Sequence, residues 1–280
     1  SSGSTWTQVG GDFDGVNEDD EFGVSVALDG DGDRCLFVES TPDGFAIVDG
    51  DAMAAMLLGA GRHHAWRFAA SIESDVALLG HVQSLNGANT CAETAVGDRW
   101  LSFSLRPASG GWLEQGTMPA VCGIEDSGHV VLPASHPHLD STWSLVGDGA
   151  ATLCAVLLAA SAADGDSFER GWKQRNSIKE SHRERWHANA DVFAKTEQTL
   201  LRALQNLGFE AQRRRIEGED HLLLVHGTSE VGVASFGIRN SGTQAKTSLS
   251  VRLSRNVPNE AFIKLLSDVQ ASLTAVLTDD

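Results

Sequence analysis

Phe22-Gly23-Val24-Ser25-Val26-Ala27-Leu28, followed by Asp29-Gly30-Asp31-Gly32-Asp33-Arg34, is the stretch on which the reading of this chain turns. The apolar run reads as a buried strand. Three carboxylates then alternate with glycines at its end. The glycines let the backbone fold so that Asp29, Asp31 and Asp33 converge on one point. Three clustered carboxylates repel one another unless a cation lies between them, and all-oxygen ligation suits a hard divalent ion, Mg²⁺ above all. Arg34 adds a planar fork suited to a phosphate. A calcium loop of the EF-hand type would need a Glu at its twelfth position. Counted from Asp29 that position is Ser40, and the flanks read as strands rather than helices. A solvated acidic turn is the other reading of a D-G-D sequence.

Further motifs follow along the chain. They are Thr94-Ala95-Val96-Gly97-Asp98-Arg99, Gly123-Ile124-Glu125-Asp126-Ser127-Gly128-His129, Gly147-Asp148-Gly149 and Arg239-Asn240-Ser241-Gly242-Thr243-Gln244-Ala245-Lys246. Together with the Asp29–Arg34 hexapeptide they resemble, in order, segments of the α-D-phosphohexomutases. These segments are the metal loop, the T-x-V-G-D-R segment, the sugar-reading loop G-G-E-x-S-G-H, a G-D-G that opens a helix, and the phosphate loop R-x-S-G-T-x-x-K. The resemblance runs from about residue 22 to the C-terminus. Departures are Ile124 for a usual Gly, and Asn240, Gln244 and Ala245 for Pro, Glu and Pro.

The resemblance implies a reaction in which a phosphoserine exchanges phosphoryl groups with a sugar monophosphate, assisted by Mg²⁺. Asp29, Asp31 and Asp33 are then the Mg²⁺ ligands and Arg34 the partner of the transferring phosphate. Glu125 and Ser127 read the sugar hydroxyls, since a carboxylate can accept from two vicinal hydroxyls and Ser can give and take one bond. Arg239, Ser241, Gly242, Thr243 and Lys246 hold the phosphate that is not transferred. An ordinary turn between two strands is the alternative for that last loop. The family's first domain, which carries the phosphoserine, and most of its second have no counterpart in the resemblance. A fragment, a split subunit whose serine domain is a separate chain, and a degenerate relative are the three readings of this. Ala134-Ser135-His136-Pro137 is similar to the family's serine motif, but it follows the sugar loop and lacks an Asn. Ser135 is therefore not read as a replacement nucleophile.

The formal charge is −17 and the sequence pI about 4.9. Lysine is confined to Lys173, Lys179, Lys195, Lys246 and Lys264, and Tyr is absent. Such a surface disfavours nucleic acid and anionic membranes and has the composition of a salt-adapted, halophilic protein. No apolar run reaches the roughly 18 residues of a membrane span, and the polar N-terminus lacks a signal-peptide pattern. Cys35, Cys91, Cys122 and Cys154 are widely spaced and read as reduced core residues of a cytoplasmic protein.

Alternating strand and helix signals predict an α/β fold with a parallel sheet, followed by a C-terminal α+β domain. The expected boundaries are a remnant of a second domain with the metal loop (1–40), a sugar-binding α/β domain (41–163), a polar linker (164–185) and a phosphate-binding domain (186–280). Helices are expected over Asp51–Ala60, Ser74–Leu85, Arg99–Leu105, Gly149–Ala162, Lys195–Leu207 and Glu260–Leu277. The last places Phe262, Leu265, Val269, Leu273 and Val276 on one face. Arg213-Arg214-Arg215 reads as a solvated face. Two functions follow: a phosphohexomutase that converts a hexose or hexosamine phosphate between C1 and C6, incomplete without its serine domain, or a sugar-phosphate-binding protein that does not turn over.

Overall fold

The computed structural model describes residues 24–41, 44–107, 118–140, 142–162, 168–242 and 244–278. They fall into two compact units. One lies within Ser1–Ser74, Val82–Ala92 and Val96–Asp166, the other within Asp75–His81, Glu93–Ala95 and Ser167–Asp280.

The first unit opens with an antiparallel meander, β1 (Val24–Leu28), β2 (Cys35–Thr41) and β3 (Gly44–Val48). Pairing of Leu28 with Cys35 makes the Asp29–Arg34 loop the connection between β1 and β2. Helix α1 (Gly50–Ala60) follows, started by the Asp49 carboxylate, which accepts from the Ala52 N–H at 3.1 Å. A five-stranded sheet takes the order β5 (Thr90–Thr94), β4 (Arg67–Ser71), β6 (Val121–Ile124), β7 (Val130–Ser135), β8 (Trp143–Gly147). Strands β4 and β6 run parallel, whereas β6–β7 and β7–β8 are antiparallel, so the sheet is mixed. Ala69, Leu101, Leu105, Val121 and Val131 form a buried cluster on it. Leu101 and Leu105 come from α3 (Asp98–Leu105), and α4 (Gly149–Ala162) packs on α1. Helix α2 spans Leu78–Leu85. The turn before it is held by Asp75, whose carboxylate accepts from the Ala77 N–H, so the helix begins later than the expected Ser74.

The second unit is α+β. Its antiparallel sheet has the order β10 (Glu210–Arg214), β11 (Leu223–Ser229), β12 (Gly232–Asn240), β13 (Lys246–Leu253), β9 (Trp172–Lys179). Helices α5 (Asp191–Asn206) and α6 (Glu260–Leu277) contribute Phe193, Leu200, Leu204, Phe262, Leu266, Leu273 and Leu277 to the core. On α6, Leu266 and Leu277 are the buried partners where Leu265 and Val276 were expected, and Val276 is exposed.

Three expectations change here. The stretch 164–185 holds β9, whose Trp172–Lys179 register against β13 closes one edge of the sheet, so the polar composition marks an edge strand rather than a linker. Arg213 and Arg214 lie on β10. Arg213 is 3.0 Å from Glu197 and its guanidinium stacks over Phe193, so it packs rather than standing free in water. Of the four cysteines, all free, Cys35 and Cys122 are buried, Cys91 is half-buried and Cys154 is exposed on α4. Among the described residues no helix is long and apolar enough to cross a membrane.

Candidate metal centre and substrate loops

The β1–β2 connection brings one carboxylate oxygen each of Asp29, Asp31 and Asp33 within 4.8 Å of one another. Gly32 takes φ +77°, a left-handed conformation that favours glycine, and its N–H donates to the Asp29 carbonyl. The Arg34 N–H donates to Asp29 Oδ1 at 3.2 Å. The Arg34 Nε lies 3.4 Å from Asp29 and 3.5 Å from Asp33, so the side chain named for phosphate lies against the acidic cluster.

Electrostatics divide the three acids. For Asp29, burial pushes the carboxyl up, but the Arg34 N–H and guanidinium and hydrogen bonds from Asp31 and Asp33 outweigh it, and it lies below the ordinary range. Asp33 is raised by burial and by the charges of Asp29 and Asp31, against the pull of His129 and Arg34. Among the described residues its buried Oδ1 has no hydrogen-bond partner, though the Arg34 guanidinium lies 3.5 Å from it. Three converging hard carboxylate oxygens fit a divalent cation such as Mg²⁺.

The sugar-reading loop is fastened to this one. The Cys35 N–H donates to the Gly128 carbonyl at 3.1 Å, and Arg34 and His129 form an antiparallel bridge. Gly128 sits at φ +90°, and a Cβ there would run into the Cys35 carbonyl. The imidazole of His129, 6% exposed, places Nδ1 3.4 Å from Asp33 Oδ2. The G-D-G segment supplies a third tie. The Gly149 N–H donates to the Gly32 carbonyl at 2.9 Å, while the Asp148 carboxylate caps α4 by accepting from Ala150 and Ala151. A Cβ on Gly149 would meet the Gly32 carbonyl at 2.7 Å, so the helix start needs glycine to approach the metal loop.

Glu125 is 9% exposed. Its Oε1 accepts from the Gly97 N–H at 2.6 Å, and its Oε2 lies 3.4 Å from the Ser127 hydroxyl. Burial raises its carboxyl above the ordinary 4.5, against the Gly97 hydrogen bond and the pull of His129. The T-x-V-G-D-R segment therefore orients the expected sugar reader. Remaining lone pairs on Glu125 and the Ser127 hydroxyl can take sugar hydroxyls.

In the second unit, Arg239 and Lys246 lie at the facing ends of β12 and β13, and Ser241 and Gly242 lie in the connection. Thr243 lies outside the described residues. The Ser241 N–H donates to the Lys246 carbonyl at 2.9 Å, and the Gln244 N–H to the Ser241 Oγ at 3.2 Å. Gly242 is exposed, and among the described residues beyond its chain neighbours no atom lies within 4 Å of where a Cβ would be. Ser135 ends β7, exposed.

Sequence reasoning assigned His129 no role. It closes the quoted G-I-E-D-S-G-H segment, which was the available signal, but its pairing with Asp33 needed the fold.

The Asp29–Arg34 loop, the Glu125 loop and the start of α4 are thus bonded together on the first unit, while Arg239, Ser241, Gly242 and Lys246 lie on the second. No protein-family model matches the chain. It is similar to phosphoglucosamine mutase of Rhodococcus erythropolis, 37% identical over 115 residues, which is 40% of this chain and 22% of that protein. It is also similar to phosphoglucosamine mutase of Kineococcus radiotolerans, 35% identical over 150 residues, 52% of this chain and 28% of that one. In fold it is similar to a crystal structure of N-acetylglucosamine-phosphate mutase, a member of the α-D-phosphohexomutase superfamily, in its product complex. The TM-score is 0.59 at 13% identity, over 89% of this chain and 48% of that one. Over the matched parts the chain resembles these phosphoglucosamine mutases in sequence, and it shares the fold of the N-acetylglucosamine-phosphate mutase structure. It spans about a quarter of the length of the curated relatives it matches.

Proposed function

We propose that this chain supplies the metal-binding and substrate-reading part of a Mg²⁺-dependent phosphohexomutase acting between C1 and C6 of a hexosamine or hexose phosphate. The observation that carries this reading is the convergence of the Asp29, Asp31 and Asp33 carboxylates beside a buried His129, on a loop bonded to the Glu125 loop. Mg²⁺ held by the three aspartates would supply charge withdrawal and orientation at the transferring phosphoryl group. Arg34 shares its charge with Asp29 and Asp33, and its side chain, 37% exposed, is open to a phosphate oxygen. Glu125 and Ser127 hold the sugar hydroxyls. Arg239, Ser241, Gly242, Thr243 and Lys246 hold the other phosphate. The names of the relatives make glucosamine phosphate the first substrate to try.

The family resemblance assigns the phosphoserine to a serine domain, supplied on the same polypeptide or by a separate chain, in the cytoplasm. The second reading is a sugar-phosphate-binding protein without turnover.

Interconversion of glucosamine 1- and 6-phosphate by the 280 residues, with and without a serine domain from a phosphoglucosamine mutase, separates the two. The mutase reading expects no multiple turnover alone and Mg²⁺-dependent turnover with that domain. Binding of glucosamine 6-phosphate with no turnover under either condition supports the binding protein. Arg239→Ala should cost roughly 1.5–3 kcal/mol of hexose phosphate binding, a loss of about ten- to a hundredfold.

A further inference from the structure

The phosphate loop of the second unit is held from behind by a short strap, and the strap has no counterpart in the motifs read from the sequence. It is the turn Ser181–Trp186, which contains a 3₁₀ helix over Arg183–Arg185. The Arg183 Nη1 donates to the Ser241 carbonyl at 2.7 Å. In return, the Asn240 side-chain amide donates to the Arg183 carbonyl at 2.9 Å and to the Trp186 carbonyl at 3.1 Å. Both amide hydrogens of Asn240 are thereby used. Its Oδ1 accepts from the Thr247 hydroxyl at 3.0 Å, and the Ser181 hydroxyl lies 2.9 Å from the same Thr247 oxygen. Thr247 has one hydrogen, which goes to Asn240, so Ser181 is the donor in that pair. Thr247 is fully buried and Ser181 is 5% exposed. The chain Ser181, Thr247, Asn240, Arg183, Ser241 is thus a directed hydrogen-bond network with every side-chain amide atom of Asn240 satisfied.

The strap is itself fixed. Trp186 is fully buried in the core, and its indole N–H donates to the His221 carbonyl at 3.0 Å. The His182 N–H donates to the Leu277 carbonyl at 2.8 Å, and the Arg185 Nη1 to the Val276 carbonyl at 3.0 Å, both at the end of α6.

We propose that Arg183 and Asn240 are positioning residues for phosphate. Fixed by the buried Thr247–Ser181 pair, they hold Ser241 and Lys246 in the arrangement that binds the anion, without touching it. This rests on the reading that the loop binds phosphate. Binding to a preordered loop loses less conformational entropy, so loosening the strap should weaken binding while leaving the ligating groups in place.

The test is calorimetric titration of inorganic phosphate into the full chain, its Arg183→Ala, Thr247→Val and Arg239→Ala variants, with amide hydrogen exchange over residues 241–246. Thr247→Val keeps the side chain's shape, removes only the hydroxyl and carries no charge. Both strap variants should weaken phosphate by about three- to tenfold and speed exchange at the Gln244 and Lys246 amides. If Arg183→Ala weakens phosphate while Thr247→Val leaves affinity and exchange unchanged, Arg183 acts directly through its charge and the positioning claim is overturned. If Arg239→Ala weakens phosphate and neither strap variant does, the strap claim falls and the phosphate reading stands. If wild type binds no phosphate, or Arg239→Ala binds it as tightly as wild type, the phosphate reading falls and the strap claim falls with it.

Discussion

The Nδ1 of His129 lies 3.4 Å from Oδ2 of Asp33, joining the Glu125 loop to one of the three acids that converge after β1. A group that orients a metal ligand shapes affinity almost as much as the ligand does. His129→Gln should therefore weaken Mg²⁺ about tenfold or more, although His129 is not among the three carboxylates. Titration of both proteins with Mg²⁺ checks this, and equal affinities would remove His129 from the metal centre.

Glu125 should make stability fall as pH rises. Its carboxyl lies above the ordinary 4.5 in the folded chain, because burial penalises the charged form. Between the unfolded value and the folded one, the native state binds more protons than the unfolded state. The unfolding free energy therefore decreases as pH climbs through that window. Urea titrations across it should show a steeper decline for wild type than for Glu125→Gln. Parallel curves would mean that Glu125 is not buried as described.

Gly128→Ala should destabilise the chain by about 1–3 kcal/mol, since φ +90° is strained for any side chain and the added carbon meets the Cys35 carbonyl. Denaturant unfolding reads the loss. Because Gly128 joins the metal and sugar loops, Mg²⁺ affinity should fall in the same variant.

The long elements were legible because their periodicity is strong. Helices α4 and α6 occupy the spans expected of them, Gly149–Ala162 and Glu260–Leu277. The register of α6 was read one residue off at Leu266 and Leu277, because Leu265 and Val276 are equally apolar and only packing chooses between them. Strand β9 was hidden. Trp-Lys-Gln-Arg-Asn-Ser-Ile-Lys carries few apolar residues, as an edge strand can, and its pairing partner β13 is distant in sequence. The convergence of Asp29, Asp31 and Asp33 was legible because they are local, spaced by glycines. The His129–Asp33 pair and the Arg183–Ser241 strap were not, because each joins residues far apart in the chain, and only the fold brings them together.

The charge of −17 carries its own consequence. Self-repulsion opposes the compact state, and salt screens it over a distance of about 8 Å at physiological ionic strength. Raising KCl at constant pH should raise Tm. A flat or falling Tm would contradict the salt-adapted reading of the composition.

The central claim is that Asp29, Asp31 and Asp33 form one divalent-cation site. Calorimetric titration of Mg²⁺ into wild type and Asp31→Asn, in enough KCl to screen the acidic surface, tests it most directly. One Mg²⁺ per wild-type chain is expected, with a loss of about tenfold or more in the variant, which keeps the side chain's shape but removes a ligand charge. Equal affinity and stoichiometry in the two proteins would contradict it.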